Sequence, residues 1–170
     1  MIIGEWVVRM KKALLILDLE KAFMNEYTDD LSIKIEDYVA STYYDNIVVG
    51  KFVNHLDSIF VKRLGNNKCL DKEDCGLNIH LSKPYVVMER TAYTMYTEEL
   101  DSYLRENKIK YVYLCGVDTD RSVYKTALDL LERGYYVYVI KSLCRSSAGT
   151  RYHDMGIGLL ERQIGKDYVI

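Results

Sequence analysis

The sequence has a single proline, Pro84, and no stretch rich in proline, glycine or serine that would act as a linker between domains. It lacks an apolar run of the ~18 residues that a membrane-spanning helix needs. It also lacks an excess of basic charge, because 23 Lys and Arg residues face 25 Asp and Glu residues for a formal net charge of −2. Neither nucleic acid nor a membrane surface is therefore an expected partner.

Cysteine and histidine are too few and too scattered to indicate a metal site. The four cysteines and three histidines are Cys69, Cys75, Cys115, Cys144, His55, His80 and His153. The pair Cys69 and Cys75 has no second ligand pair at a matching spacing, so we expect no metal and no other cofactor. No small-residue cleavage site follows the apolar start of the chain, so we expect a cytoplasmic protein with reduced thiols.

Length and composition predict one globular domain. The 170 residues include 49% hydrophobic and 28% charged residues, which is enough apolar material for one sizeable core. Because Met10 offers an alternative start, we assign residues 1–10 to a short N-terminal extension and residues 11–170 to the domain.

Predicted strands and helices alternate along the chain. Apolar runs predict six strands, at 11–19, 46–53, 85–90, 110–116, 135–141 and 167–170. Helical spacing and capping residues predict helices at 31–42, 56–67, 97–108, 119–133 and 149–165. This alternation predicts an α/β protein with three layers, α/β/α, around a mainly parallel, Rossmann-like sheet of about six strands.

Three polar residues fall where ligands bind in such a sheet, at the carboxyl ends of its strands. Asp18 closes the first strand, Arg90 closes the third, and Ser122 lies in the first turn of the helix after the fourth. Unpaired N–H groups and the helix dipole at such a turn favour a negative charge or an oxyanion. The same spacing also fits a structural ion pair between Asp18 and Arg90, with Ser122 only capping the helix.

Four segments contain motifs that occur together in one known family. They are LLILDLEKAFMN, ERTAYTMYTEEL, GVDTDRSVYKTALDL and SLCRSSAGTRYHDMGIGLLERQIG. In their order and separation they resemble the isochorismatase-like superfamily, the nicotinamidase-related cysteine hydrolases, over about residues 12–170. The resemblance implies a catalytic aspartate at Asp18. Arg90 stands at the position of the family's catalytic lysine, and Ser122 at that of its nucleophilic cysteine.

The resemblance has further implications for the site. It implies an isochorismatase-like fold, a small-molecule substrate, a homodimer or larger homo-oligomer, and a non-proline cis peptide bond within residues 116–118. The residues expected to bind the substrate are Phe23, Tyr93, Val117, Asp118 and Arg121. Arg121 is a large cation beside Ser122, and it would either crowd the mouth of the pocket or attract an anionic ligand.

The two replaced triad residues leave three functions open. A serine hydroxyl is far less acidic than a thiol of pKa ~8.5, and an arginine does not shuttle protons at neutral pH. The chain is then a hydrolase of a small amide with a degenerate triad and weak activity, or a pseudoenzyme that binds a small anion or a partner protein. In the third function, Asp18 alone hydrolyses a vinyl ether as a general acid. A nucleotide-binding domain is disfavoured, because no Gly-x-Gly-x-x-Gly follows the first strand.

Overall fold

A computed structural model describes residues 9–170 and shows a five-stranded sheet flanked by helices. The strands are β1 (Lys11–Leu17), β2 (Asn46–Phe52), β3 (Val86–Arg90), β4 (Ile109–Val117) and β5 (Tyr136–Arg145). The helices are α1 (Leu31–Ser41), α2 (Ile59–Leu64), α3 (Glu98–Glu106), α4 (Tyr124–Glu132) and α5 (Thr150–Ile164). Most of the predicted N-terminal extension, residues 1–8, lies outside the described residues.

All five strands are parallel and follow the order β3-β2-β1-β4-β5. The chain moves outward from β1 to β3 and then crosses back to β4, so the direction of winding reverses between β1 and β4. Such a reversal opens a crevice at the carboxyl ends of the two strands. The predicted α/β fold with a parallel sheet is confirmed.

The core lies around the central strand β1. Its residues from Ala13 to Leu17 are all completely buried, as expected for a strand that is covered on both faces. Strand β1 therefore lies in the middle of the sheet and is covered on both faces.

The prediction of a sixth strand is wrong. After α5 ends at Gly165, residues Lys166–Tyr168 form a 3-10 turn, and Val169 makes a single parallel bridge with Val139 of β5. The last residues do lie along β5, since the amide of Ile170 donates to the carbonyl of Val139 at 2.9 Å. The turn consumes the residues that a strand would need, so pairing stops after one residue.

Two local departures from the predicted elements lie near the crevice. The helix predicted from residue 119 opens with one π-helical turn over Thr119–Val123 before α4 begins. Strand β5 runs four residues past its predicted end, with a register shift opposite the stretch from Leu114 to Gly116. Within residues 9–170, no helix has the length and apolar character needed to cross a membrane.

Candidate active site

The structure brings Asp18, Arg90 and Ser122 together at the carboxyl ends of β1, β3 and β4. The Nη2 group of Arg90 donates to both carboxylate oxygens of Asp18 at 2.6 Å and to the Oγ of Ser122 at 3.1 Å. All three residues are at least 95% buried. One guanidinium nitrogen thus links the carboxylate to the hydroxyl.

Each of the three positions follows from the local chain. Asp18 comes directly after β1 with φ of 54°, a left-handed conformation that Asp tolerates better than most residues. Arg90 is the last residue of β3, where it pairs in register with Phe52 of β2. Ser122 belongs to the π-helical turn that follows β4, and single π turns are frequent at functional sites.

The guanidinium of Arg90 is only partly used by these contacts. Its Nε and Nη1 groups are buried and have no hydrogen-bond acceptor among residues 9–170. Its central carbon lies 5.6 Å from the ring centroid of Phe52, within the range of a cation–π contact. The ring of Phe52 therefore packs against a guanidinium whose remaining donors are buried.

Burial raises the pKa of both aspartates at the site. It raises the pKa of Asp18, while the positive charge of Arg90 and a hydrogen bond from Ser122 act in the opposite direction. Burial also raises the pKa of Asp118, opposed by the hydrogen bonds from Ser147. The Oδ1 of Asp118 accepts the Ser147 amide at 2.6 Å, so this side chain fixes the loop after β5.

The backbone between β4 and Ser122 has two special features. The peptide bond from Val117 to Asp118 is cis, as the family resemblance implies. The preceding Gly116 has φ of 119°, and a Cβ at this position would lie 2.1 Å from the carbonyl oxygen of Leu17. Only glycine therefore lets β4 approach the end of β1 so closely.

A small cleft opens beside the three residues. Its lining consists of Asp18, Phe23, Phe52, Asn66, Tyr93, Asp118, Arg121 and Ser122. Four of the five expected substrate-binding residues line this cleft, whereas Val117 is completely buried and does not reach its wall. The side chain of Arg121 is 47% exposed and lies 3.8 Å from Asp118, so its charge remains available to a ligand.

Sequence reasoning missed two lining residues, Phe52 and Asn66. Phe52 is the last residue of β2, so its place at a strand end was a usable signal. Asn66 follows the left-handed Gly65 that ends α2, in a stretch without periodicity. Its carbonyl accepts from the amide of Asn54, and this contact could not be read from spacing.

Among residues 9–170, no cysteine or histidine lines the cleft. Cys115 and Cys144 are completely buried, and burial raises the pKa of both thiols, that of Cys144 to about 12. The ring of His153 is bonded through Nδ1 to the hydroxyl of Thr119 at 2.8 Å, and no histidine lines the cleft. Ser122 is therefore the candidate nucleophile, and the carboxyl groups of Asp18 and Asp118 are the candidate proton acceptors of the cleft.

Solved structures with the same fold include two amidases. A pyrazinamidase of Pyrococcus horikoshii in complex with zinc aligns with a TM-score of 0.78 and 22% identity, over 90% of this chain and 96% of its own. A nicotinamidase of Bacillus subtilis aligns with a TM-score of 0.76 and 22% identity, over 92% of this chain and 97% of its own. At this identity the likeness shows the fold alone.

The Pyrococcus structure contains zinc, which raises the question of whether the described residues of this chain could hold a metal ion. Between residues 9 and 170, His, Cys, Asp and Glu side chains nowhere form a group of three or more that could hold a metal ion. The residues present therefore do not fit a zinc ion.

Sequence comparison identifies the family. A curated relative, isochorismatase family protein 2A of Dictyostelium discoideum, is 44% identical over 69 residues, which are 39% of this chain and 34% of that protein. Isochorismatase domain-containing protein 2 of Xenopus laevis is 36% identical over 58 residues, 34% of this chain and 28% of that protein. The matches thus span about a third of the length of these relatives. The isochorismatase domain model matches residues 12–166, so the chain belongs to the isochorismatase family.

Proposed function

We propose that the chain is a hydrolase of a small amide or a related molecule, with a degenerate triad of Asp18, Arg90 and Ser122 that gives weak activity. The observation that carries this proposal is the bridge formed by Arg90, which holds the carboxylate at 2.6 Å and the hydroxyl at 3.1 Å. The names of the structural neighbours, a pyrazinamidase and a nicotinamidase, support small cyclic amides as the first substrates to test.

In the proposed reaction, the Oγ of Ser122 attacks the amide carbon while Asp18 accepts the hydroxyl proton. Asp18 then delivers that proton to the leaving amine, and an ester between Ser122 and the acyl group remains. A water molecule gives a proton to Asp18 and attacks the ester, and the acid leaves as Ser122 regains its proton. Because burial raises the pKa of Asp18, this carboxylate is a stronger base than an exposed one.

Arg90 supplies charge in this scheme and moves no proton. Its hydrogen bond to Ser122 occupies a lone pair of the Oγ, which lowers the reactivity of the neutral hydroxyl while stabilising any alkoxide. The hydroxyl is also far less acidic than a thiol. Slow turnover follows from both effects.

The remaining cleft residues account for substrate binding in the proposal. The rings of Phe23 and Tyr93 provide apolar walls for a small ring, and Arg121 provides a cation at the mouth. The partly exposed charge of Arg121, which is only loosely paired with Asp118 at 3.8 Å, also favours a second candidate function, an inactive homologue that binds a small anion or an acidic partner protein.

A third candidate is hydrolysis of a vinyl ether with Asp18 as the general acid. The specific observation in its favour is the raised pKa of Asp18, because a general acid must hold its proton near neutral pH. This reaction needs no nucleophile at Ser122.

The test compares turnover of nicotinamide, pyrazinamide and a vinyl ether by the native chain and three variants. Loss of amidase activity in both Ser122→Ala and Asp18→Asn supports the main proposal. The double variant Ser122→Cys with Arg90→Lys should then be faster by orders of magnitude. Ser142→Ala, which changes an exposed serine of β5, is the matched control.

The candidates give distinct results in this assay. If turnover of the vinyl ether persists in Ser122→Ala and is lost in Asp18→Asn, catalysis depends on Asp18 and not on Ser122. Absence of any turnover, together with benzoate binding that Arg121→Gln abolishes, identifies an anion-binding homologue. A homodimer or larger assembly, which the family resemblance implies, and a cytoplasmic location complete the proposal. Light scattering after size exclusion measures the assembly.

A further inference from the structure

Glu20 is a further carboxyl group near the candidate site, two residues beyond Asp18. It is completely buried, although it carries a titratable group. Its Oε1 accepts the backbone N–H of Phe52, while its Oε2 has no hydrogen-bond partner within residues 9–170. A buried carboxyl oxygen without a partner is costly when charged, so this group needs an explanation.

The position of Glu20 relates it directly to Arg90. The residue that donates to Glu20, Phe52, pairs with Arg90 in the ladder between β2 and β3. The ring of Phe52 also packs against the guanidinium, whose Nε and Nη1 donors are unused among the described residues. One unused acceptor and two unused donors therefore lie around the same aromatic residue.

The charges around Glu20 do not balance if every acid is ionised. Asp18 and Arg90 are the charged groups of the site that act on it, and Lys51 and the thiols of Cys69 and Cys75 also interact with it electrostatically. Arg90 is the buried cation of this set, and it already pairs with Asp18. A second carboxylate would compete for the same cation.

We propose that Glu20 is a positioning residue, which keeps its proton while Arg90 pairs with Asp18 and, once ionised, accepts the free Nε and Nη1 donors of Arg90 and so weakens the hold of Nη2 on Asp18. The proton passes to solvent, and no covalent bond changes. The proposal concerns the arrangement of the site in the free protein. It rests on the proposed function only for its effect on turnover.

The direction of the Glu20 titration agrees with this geometry. Burial, and after it the negative charge of Asp18, raises the pKa of Glu20 to about 8, against the opposing influence of the Phe52 amide and Arg90. At neutral pH the Glu20 carboxyl group is then mainly protonated. Arg90 shifts from Asp18 towards Glu20 in mildly alkaline solution.

The primary test observes the two groups directly by NMR in the protein without ligand. Protein labelled with ¹³C at glutamate carboxyls should show one resonance that titrates near pH 8. That resonance should be missing in Glu20→Gln and unchanged in the control Glu89→Gln, which alters an exposed glutamate of β3. The ¹⁵Nε resonance of Arg90 should shift with the same midpoint. A glutamate titration in the normal acidic range, or an Arg90 resonance that ignores it, would overturn the proposal.

A second measurement connects the titration to the cleft. Benzoate keeps its charge across this range, so its affinity reports changes in the protein. We expect benzoate to bind the form in which Arg90 pairs with Asp18 and Glu20 keeps its proton. At about pH 9 only about a tenth of the molecules retain that proton, so benzoate should bind the native chain up to about tenfold more weakly than at neutral pH. Glu20→Gln should lose less than about twofold, because its amide stays neutral. Equal losses in both proteins would refute the role of Glu20 in positioning.

The two tests separate this proposal from the proposed function. If no amide is hydrolysed by any variant, the NMR titration still shows whether Glu20 titrates near pH 8 and whether the Arg90 resonance follows it. If turnover is found but the Glu20 resonance titrates in the acidic range, the hydrolase proposal survives and the positioning role is refuted.

Discussion

Replacing Glu20 by glutamine should make the stability of the protein less sensitive to alkaline pH. The unfolded chain releases the Glu20 proton near pH 4.5, whereas the folded protein holds it until about pH 8. Between these values the folded state binds more protons than the unfolded state, so stability falls as pH rises. Glutamine binds no proton in either state and removes this dependence.

The size of the effect follows from the same two values. Each pH unit in this window costs about 1.4 kcal/mol, so Glu20 lowers the free energy of unfolding by about 3 kcal/mol at pH 7 and about 5 kcal/mol above pH 8. The amide of glutamine keeps the acceptor for Phe52, but its unpaired N–H group costs about 1–3 kcal/mol at every pH. The variant should therefore range from slightly destabilised near pH 4.5 to clearly stabilised at pH 8.

Urea unfolding followed by far-ultraviolet circular dichroism, repeated from pH 4.5 to pH 8.5, measures this difference. Glu89→Gln is the matched control, because its carboxylate is largely exposed and pairs with Lys51 on the surface. The control should follow the native chain to within about 0.5 kcal/mol at each pH. A stability difference between Glu20→Gln and the native chain that stays flat over the whole range would refute the reasoning.

Two further substitutions test the backbone, and a third serves as a control. Gly116→Ala should destabilise the protein by about 3 kcal/mol or more, because the new Cβ collides with the Leu17 carbonyl, and thermal unfolding measures the loss. Unchanged stability would contradict the close approach of β4 to β1. Thr97→Ala removes the cap that accepts the Leu100 amide at 3.2 Å and should cost about 1 kcal/mol, whereas Ile59→Ala on the exposed side of α2 should change stability little.

The sequence was sufficient to predict the parallel sheet and the meeting of the three strand-end residues. Continuous apolar runs are typical of strands buried on both faces, and five such runs form the sheet. Once the strands are parallel, their carboxyl ends share one edge, and this placement together with the family resemblance predicted that Asp18, Arg90 and Ser122 meet. The sixth run failed because it is four residues long and a turn uses two of them.

Glu20 and Asn66 could not be predicted because their roles depend on distant contacts. The burial of Glu20 depends on the amide of Phe52, 32 residues away. In the sequence, the charged Lys21 beside Glu20 predicts that this stretch is an exposed loop. Asn66 reaches the cleft through a loop whose path is fixed by hydrogen bonds to Asn54. Periodicity describes contacts within an element and carries no information on these pairings.

The burial of every cysteine has a practical consequence for chemical labelling. Burial raises the pKa of all four thiols, so the native chain offers electrophiles almost no thiolate at neutral pH; the residues are Cys69, Cys75, Cys115 and Cys144. A cysteine introduced by Ser122→Cys would instead lie in the first turn of a helix, beside the cation of Arg90, where thiolates are favoured. Reaction of the Ser122→Cys variant with a small electrophile should thus fall on the introduced thiolate, with no native cysteine to remove first.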